Sequence, residues 1–223
     1  MWLVVGLGNP GKEYANHRHN VGFMVLEELG RRTRADSFRE KFSGLYAKAS
    51  HAGEEAVLLM PQTFMNLSGQ SVQPAAAFFK VQPANVIVVH DELDLAFDDV
   101  RLKLGGGHAR HNGLRSIMKC LGTGDFGRVR VGIGRPPATF RGEVADWVLS
   151  PFDSVERAMM PDVIGRAADS VLDVLARGLT AAMNKLNTRA SAGLKKAATP
   201  RSGAPSETKE IATGAASPRG TKA

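Results

Sequence analysis

Two short runs in this chain are apolar at every position, Trp2-Leu3-Val4-Val5 and Val86-Ile87-Val88-Val89. A strand with no polar side has none to give to water, so both runs predict strands buried in a layered fold. Each ends in residues of a different kind. Gly6-Leu7-Gly8-Asn9-Pro10-Gly11 follows the first, and His90-Asp91 follows the second. Alternation predicts further strands over 100–104 and 129–133. Residues 45–50 and 56–60 flank a turn-like His51-Ala52-Gly53-Glu54 and predict a hairpin, and 144–149 reads as a last strand.

Helices are expected where apolar residues return every three or four positions. Val21, Met24, Val25 and Leu29 make one such stripe, and Leu114, Ile117, Met118 and Leu121 another. Residues 68–79 read as a helix despite Pro74. Beyond Pro151 a long stripe runs from Met160 to Leu175, with Pro161 expected near a start or kink; Gly178 closes it before a short helix over 179–186. Strands and helices in this order predict an α/β domain with a mixed sheet layered by helices.

The chain carries a net charge of +7, but residues 188–223 hold seven basic and two acidic side chains, which leaves about +2 for the body. That terminal stretch is Ala, Ser, Thr, Gly, Pro and Lys, with only Leu194 and Ile211 as large apolar residues. Burial there cannot offset ordering entropy, so a disordered basic tail is expected. A single cysteine, Cys120, closes no internal disulfide and builds no thiolate metal site alone. With no signal-like N-terminus and no run long enough to span a bilayer, a cytoplasmic, soluble protein is expected, with no membrane partner.

Gly6 to Gly11 matches G-x-G-x-x-G after a strand, but Pro10 removes an amide donor and Arg31-Arg32-Thr33-Arg34 stands where a ribose-binding acid belongs. The alternative is a tight turn that displays Asn9. Of six histidines, His17, His19, His90, His108 and His111 fall just past strand ends or before a helix start; His51 is the sixth. A catalytic histidine needs a carboxylate to fix its tautomer, and Asp91 is the best placed acid, unless it merely caps a turn in His90-Asp91-Glu92-Leu93-Asp94. The same histidines permit a metal site, although no H-E-x-x-H spacing occurs. Asn66 and Asn112 either N-cap the helices that follow them or offer an amide to a developing oxyanion.

Taken together, six ordered blocks closely resemble bacterial-type peptidyl-tRNA hydrolases: VVGLGNPGKEYANHRHNVGF, MPQTFMNLSGQSV, VIVVHDELDL, RLKLGGGHARHNGLRSI, FGRVRVGIGRP and RGLTAAMNKLN. They cover essentially residues 2–187. The resemblance implies a single domain over 1–187, with a mixed, twisted central sheet wrapped by helices, and a tail over 188–223. It implies an enzyme that hydrolyses the ester between a peptide and the tRNA 3′ end, with peptidyl-tRNA as its partner, as a monomer without metal or cofactor. By the same resemblance His19 is the general base and Asp91 its partner, and Asn9, Asn66 and Asn112 position substrate, water or oxyanion. Tyr14 and Met65 lie beside the peptide and the scissile end, while Lys103 and Arg130 clamp phosphate. Without it, Lys103 and Arg130 read as a solvated strand face.

Two departures stand out. Ala109-Arg110 replaces a glycine pair usual in relatives, so a positive φ there would be strained. Ala96-Phe97-Asp98-Asp99 replaces a Pro-Pro-Gly-like turn near Asp91. Two rival functions remain open: a non-catalytic RNA-binding module of the same fold, and a metal-dependent hydrolase.

Overall fold

In a computed structural model of the chain, residues 1–186 are described. The tail expected over 188–223 lies outside them. The strands are β1 (Trp2–Gly6), β2 (Arg39–Lys41), β3 (Gly44–His51), β4 (Glu54–Pro61), β5 (Val86–Glu92), β6 (Val100–Leu104) and β7 (Gly127–Gly132). Among the described residues they form one seven-stranded sheet in the order β2-β3-β4-β1-β5-β7-β6. The centre is parallel, β4 with β1, β1 with β5 and β5 with β7, whereas β2, β3 and the edge strand β6 pair antiparallel to their neighbours.

The helices are α1 (Val21–Thr33), α2 (Gly69–Phe78), α3 (Asn112–Leu121), α4 (Val144–Val148) and α5 (Ser154–Arg177), followed by a helical stretch over 179–186. α1 and α5 cover one face, where Val25, Leu29, Val163 and Val171 pack on Val4, Ile87, Val89 and Val129. On the other face Val72 and Ala75 of α2 and Leu114 and Ile117 of α3 join Leu3, Val5 and Val88. Because β1 and β5 send alternate residues into two apolar layers, their sequences are apolar throughout.

Residues 144–149 do not form the expected strand. They are helix α4, held by a capping box in which Glu143 N–H donates to Asp146 Oδ2 at 2.8 Å. Reciprocal capping closes the first turn and fits the i, i+3, i+4 spacing of Val144, Trp147 and Val148. Pro161 does not mark the start of the helix: α5 begins seven residues earlier, where Asp153 accepts from Glu156 N–H, so the proline sits inside the helix. The three-residue strand β2 was not expected.

The entry into α1 lies unusually close to the sheet. A Cβ on Gly22 would stand 2.4 Å from Leu7 N and 2.5 Å from Val89 O, and one on Gly6 would stand 2.3 Å from Gly22 O. Only glycine at both points lets the helix start rest on the ends of β1 and β5. The residues just before Gly22 are thereby brought over the carboxyl end of the sheet.

Candidate active site

The segment before α1 is a 3-10 turn, Arg18–Asn20. It places His19 above the end of β5, where Nδ1 lies 2.8 Å from Asp91 Oδ1. His111, the N-cap of α3, brings its Nε2 within 3.0 Å of the same oxygen. Its own Nδ1 accepts from the N–H groups of Gly113 at 3.1 Å and Leu114 at 3.4 Å. A nitrogen that accepts carries no proton, so the His111 proton sits on Nε2 and is donated to Asp91. By the same logic His19 donates Nδ1–H to Asp91, which leaves its Nε2 lone pair free to accept a proton.

His90 completes a cluster of three imidazoles. Its Nδ1–H donates to the Asp91 carbonyl oxygen at 2.7 Å, and its ring meets that of His111 edge to face with centroids 5.1 Å apart. Burial, reinforced by His111, pushes His90 down to about 3, so it is neutral. Asp91 is 3% exposed. Burial alone would raise its carboxyl, yet the charges and hydrogen bonds of His19 and His111 hold it well below the usual carboxylate range. For His19, burial disfavours the cation, but the charge and hydrogen bond of Asp91 prevail and raise it above the ordinary imidazole value.

A second group of contacts fixes the loop after β1. Asn9 Oδ1 accepts from Met65 N–H at 2.8 Å. Asn20 then binds the Asn9 backbone reciprocally, accepting from its N–H at 3.0 Å and donating Nδ2–H to its carbonyl at 2.9 Å. Asn20 is buried and joins the loop displaying Asn9 to the turn displaying His19. It was missed in the sequence, where its place beside His19 was the only signal. Met65 is buried beside the start of α3: a Cβ on Gly113 would lie 2.6 Å from its Sδ.

Asn66 and Asn112 are exposed. Neither is a helix cap, because His111 caps α3 and α2 starts at Gly69 behind Ser68. Tyr14 is half-buried, with its ring edge-on to His17 at 5.4 Å. Asn112 adjoins His111, so the structure brings His19, Asp91, Asn9, Met65 and Asn112 to one end of the sheet.

The expected phosphate clamp is placed on β6 and β7. Lys103 is paired in register with Arg128, and Arg101 with Arg130, so four cations share one face. They differ in what they do. Arg130 donates Nε–H to Glu92 at 2.9 Å and Arg101 to Asp99 at 2.9 Å. Arg128 is buried and donates to the carbonyls of Gly106 and Gly107, both at 2.5 Å. Lys103 is exposed and, among the described residues, has no acidic partner.

Both departures are accommodated by left-handed backbone. Ala109 has φ 45° and Arg110 φ 64°, and Asp98 in the other loop has φ 77°. Asp98 is held there by Arg166, which reaches both its carboxylate and its carbonyl oxygen.

His19, Asp91 and His111 also form a group whose ligand atoms lie within 4.8 Å of one another. A cation among them would have to displace the protons of both N–H donors. His111 cannot move its proton to Nδ1 without facing two backbone N–H groups, so this donor set suits hydrogen bonding better than metal ligation.

Comparison with known proteins points one way. The sequence model of a family described as Peptidyl-tRNA hydrolase matches residues 3–194. A peptidyl-tRNA hydrolase of Sorangium cellulosum is 66% identical over 196 residues, 88% of each chain. One from Geobacter metallireducens is 46% identical over 187 residues, covering 84% of this chain and 95% of its own. The crystal structure of peptidyl-tRNA hydrolase from Acinetobacter baumannii superposes with a TM-score of 0.76 at 39% identity, over 84% of this chain and 94% of that one.

A left-handed alanine is strained by about 1–3 kcal/mol. Ala109 is exposed, so replacing it loses no packing. Ala109→Gly is therefore expected to raise stability by about 1 kcal/mol, less the extra freedom glycine brings to the unfolded chain. Urea unfolding reads this directly, and a lower midpoint would show that the loop is not strained there.

Proposed function

Because this chain belongs to the peptidyl-tRNA hydrolase family and hydrolyses the carboxylic ester of peptidyl-tRNA to release tRNA, we propose that His19 is its general base. The observation that carries this reading is the hydrogen bond from His19 Nδ1 to Asp91, which leaves Nε2 unprotonated. In the reaction Nε2 takes a proton from water as the oxygen attacks the ester carbonyl. Asp91 stabilises the imidazolium, which then returns the proton to the departing ribose oxygen. General-base assistance of this kind contributes typically 10² to 10⁴ in rate, so other groups must share the work.

Those groups are the carboxamides. Asn112 and Asn66 would hold the attacking water and the oxyanion. Asn9, Met65 and Tyr14 would line the path of the peptide. Lys103 and Arg130 would meet tRNA phosphate, with Lys103 the stronger contributor because Glu92 already neutralises Arg130. No cofactor enters this scheme. We further assign catalysis to a domain over 1–187, with the tail over 188–223 as an appendage, in a monomeric cytoplasmic enzyme. Among the described residues no helix is long and apolar enough to cross a membrane.

His19→Ala is expected to lower release of N-acylated amino acid from acyl-tRNA by about 10² or more while tRNA binding survives. Full activity in that variant would refute the assignment, and lost turnover with intact binding separates the enzyme from a binding module. The base must be neutral, so kcat/KM falls as pH drops through the His19 pKa, on an acid limb above 6.5. Asp91 and His111 are the titratable groups that face the ring. In Asp91→Asn only burial remains, and the limb moves to lower pH; a limb that stays in place would mean another group titrates. Lys103→Ala is expected to raise KM and flatten its salt dependence more than Arg130→Ala does, since each phosphate contact adds about one unit to the salt slope. Unchanged salt slopes in both would remove the clamp.

A further inference from the structure

Arg18, the residue before His19, is buried with only 3% of its side chain exposed. A buried guanidinium is costly unless every side of it is satisfied. Here it is. Nη1 and Nη2 donate to Glu156 Oε1 and Oε2 at 2.8 and 2.6 Å, a bidentate fork, and Nε donates to Ser150 Oγ at 3.3 Å. The guanidinium carbon stands 3.8 Å from the centroid of Trp147 and 5.0 Å from that of Phe152. The backbone adds to this: Arg18 N–H donates to Ser150 O at 3.0 Å, and His17 bridges to Pro151.

The turn so gripped has little stability of its own. It is three residues long, and its N-cap His17 makes no side-chain capping bond. In a 3-10 helix adjacent side chains diverge by about 120°, so Arg18 and His19 leave the turn in different directions. One is locked into the α4 to α5 connection while the other meets Asp91. Fixing the first therefore fixes the rotation of the turn, and with it the direction of the second. Glu156 is itself held, because its Oε2 also accepts from Asp153 N–H at 2.9 Å at the start of α5. Trp147 is held by donation from Nε1 to Gly134 O at 2.9 Å.

We propose that Arg18 is a positioning residue for His19, its guanidinium pinning the 3-10 turn so that the imidazole keeps Nδ1 on Asp91; this rests on the general-base reading above. The anchor requires a planar fork that stacks and binds two oxygens at once, which lysine does not supply.

The test compares Arg18→Lys and Glu156→Gln with a control, Arg32→Met. Arg32 also ties α1 to α5, through Asp169 at 2.7 Å, but stands away from His19. Arg18→Lys is expected to lower kcat roughly 10- to 100-fold with KM nearly unchanged, the size of loss that a misplaced catalytic group produces. It should also weaken or broaden the low-field proton resonance of His19 Nδ1–H. Glu156→Gln, which keeps one acceptor, should fall between Arg18→Lys and wild type, and the control should lose melting temperature without losing kcat or the resonance. Unchanged kcat and resonance in Arg18→Lys overturns the proposal, as does a kcat loss matched by the control at equal loss of melting temperature. If Arg18→Lys fails to fold, Glu156→Gln and Trp147→Leu apply the same test from the partner side. Failure of the general-base reading is separate: it shows as an active His19→Ala, and the resonance then still reports whether Arg18 orients the ring.

Discussion

One carboxylate oxygen, Asp91 Oδ1, accepts from two imidazoles, and the site depends on that shared acceptor. A buried aspartate has no water to keep it ionised, so its charge must be sustained by donors. Two charge-assisted N–H groups do this, while His90 closes off the backbone carbonyl of the same residue. The two donors are not equivalent. His111 is committed at both nitrogens, to Asp91 and to the first turn of α3, whereas His19 is committed at one. On the proposed reading, that asymmetry leaves the chemistry to His19 and the scaffolding to His111.

The sheet makes this arrangement reproducible. Asp91 belongs to β5 and is paired with Val131 of β7, two residues beyond Val89, where the pairing of β5 with β1 ends, so its position is set by the sheet. His90 shares β5, whereas His19, His111, Asn9 and Met65 arrive on loops or helix starts, where anchoring has to be added. Asn20 ties the Asn9 loop to the His19 turn, and Arg18 ties that turn to α5. The separations are long: 72 residues between His19 and Asp91, and 138 between Arg18 and Glu156. Such contacts leave no trace in local periodicity.

That difference explains what could be read from the sequence. β1, β5 and the hairpin were legible because burial on two faces or one leaves a pattern of period one or two. The long helices were legible for the corresponding reason. α4 was not, since Val144, Trp147, Val148 and Leu149 satisfy a strand and a short helix equally, and the deciding signal was the Glu143 and Asp146 pair. Asp91 was recognisable as the available acid, but the choice of His19 among six histidines came from family resemblance. The roles of His111, Asn20 and Arg18 were hidden, because a buried amide, a cap and a structural cation look like ordinary polar residues until their partners are known.

The proposed nucleic-acid side follows from how charge is distributed on β7 and the edge strand β6. Four cations stand together on β6 and β7, yet Asp99 and Glu92 neutralise two of them and a third is buried under the glycine loop. Over residues 1–187 the net charge is only about +2, so the body carries little excess of cation over acid. Of the four cations on this face, Lys103 alone is exposed without an acidic partner among the described residues, and it is held on a strand whose neighbour Arg128 also fixes the carbonyls of Gly106 and Gly107. That loop runs on through left-handed Ala109 and Arg110 to His111. One buried arginine thus links the strand that would meet phosphate to the loop that ends at the shared carboxylate, so the spacing between the two is set by hydrogen bonds within the protein before substrate arrives.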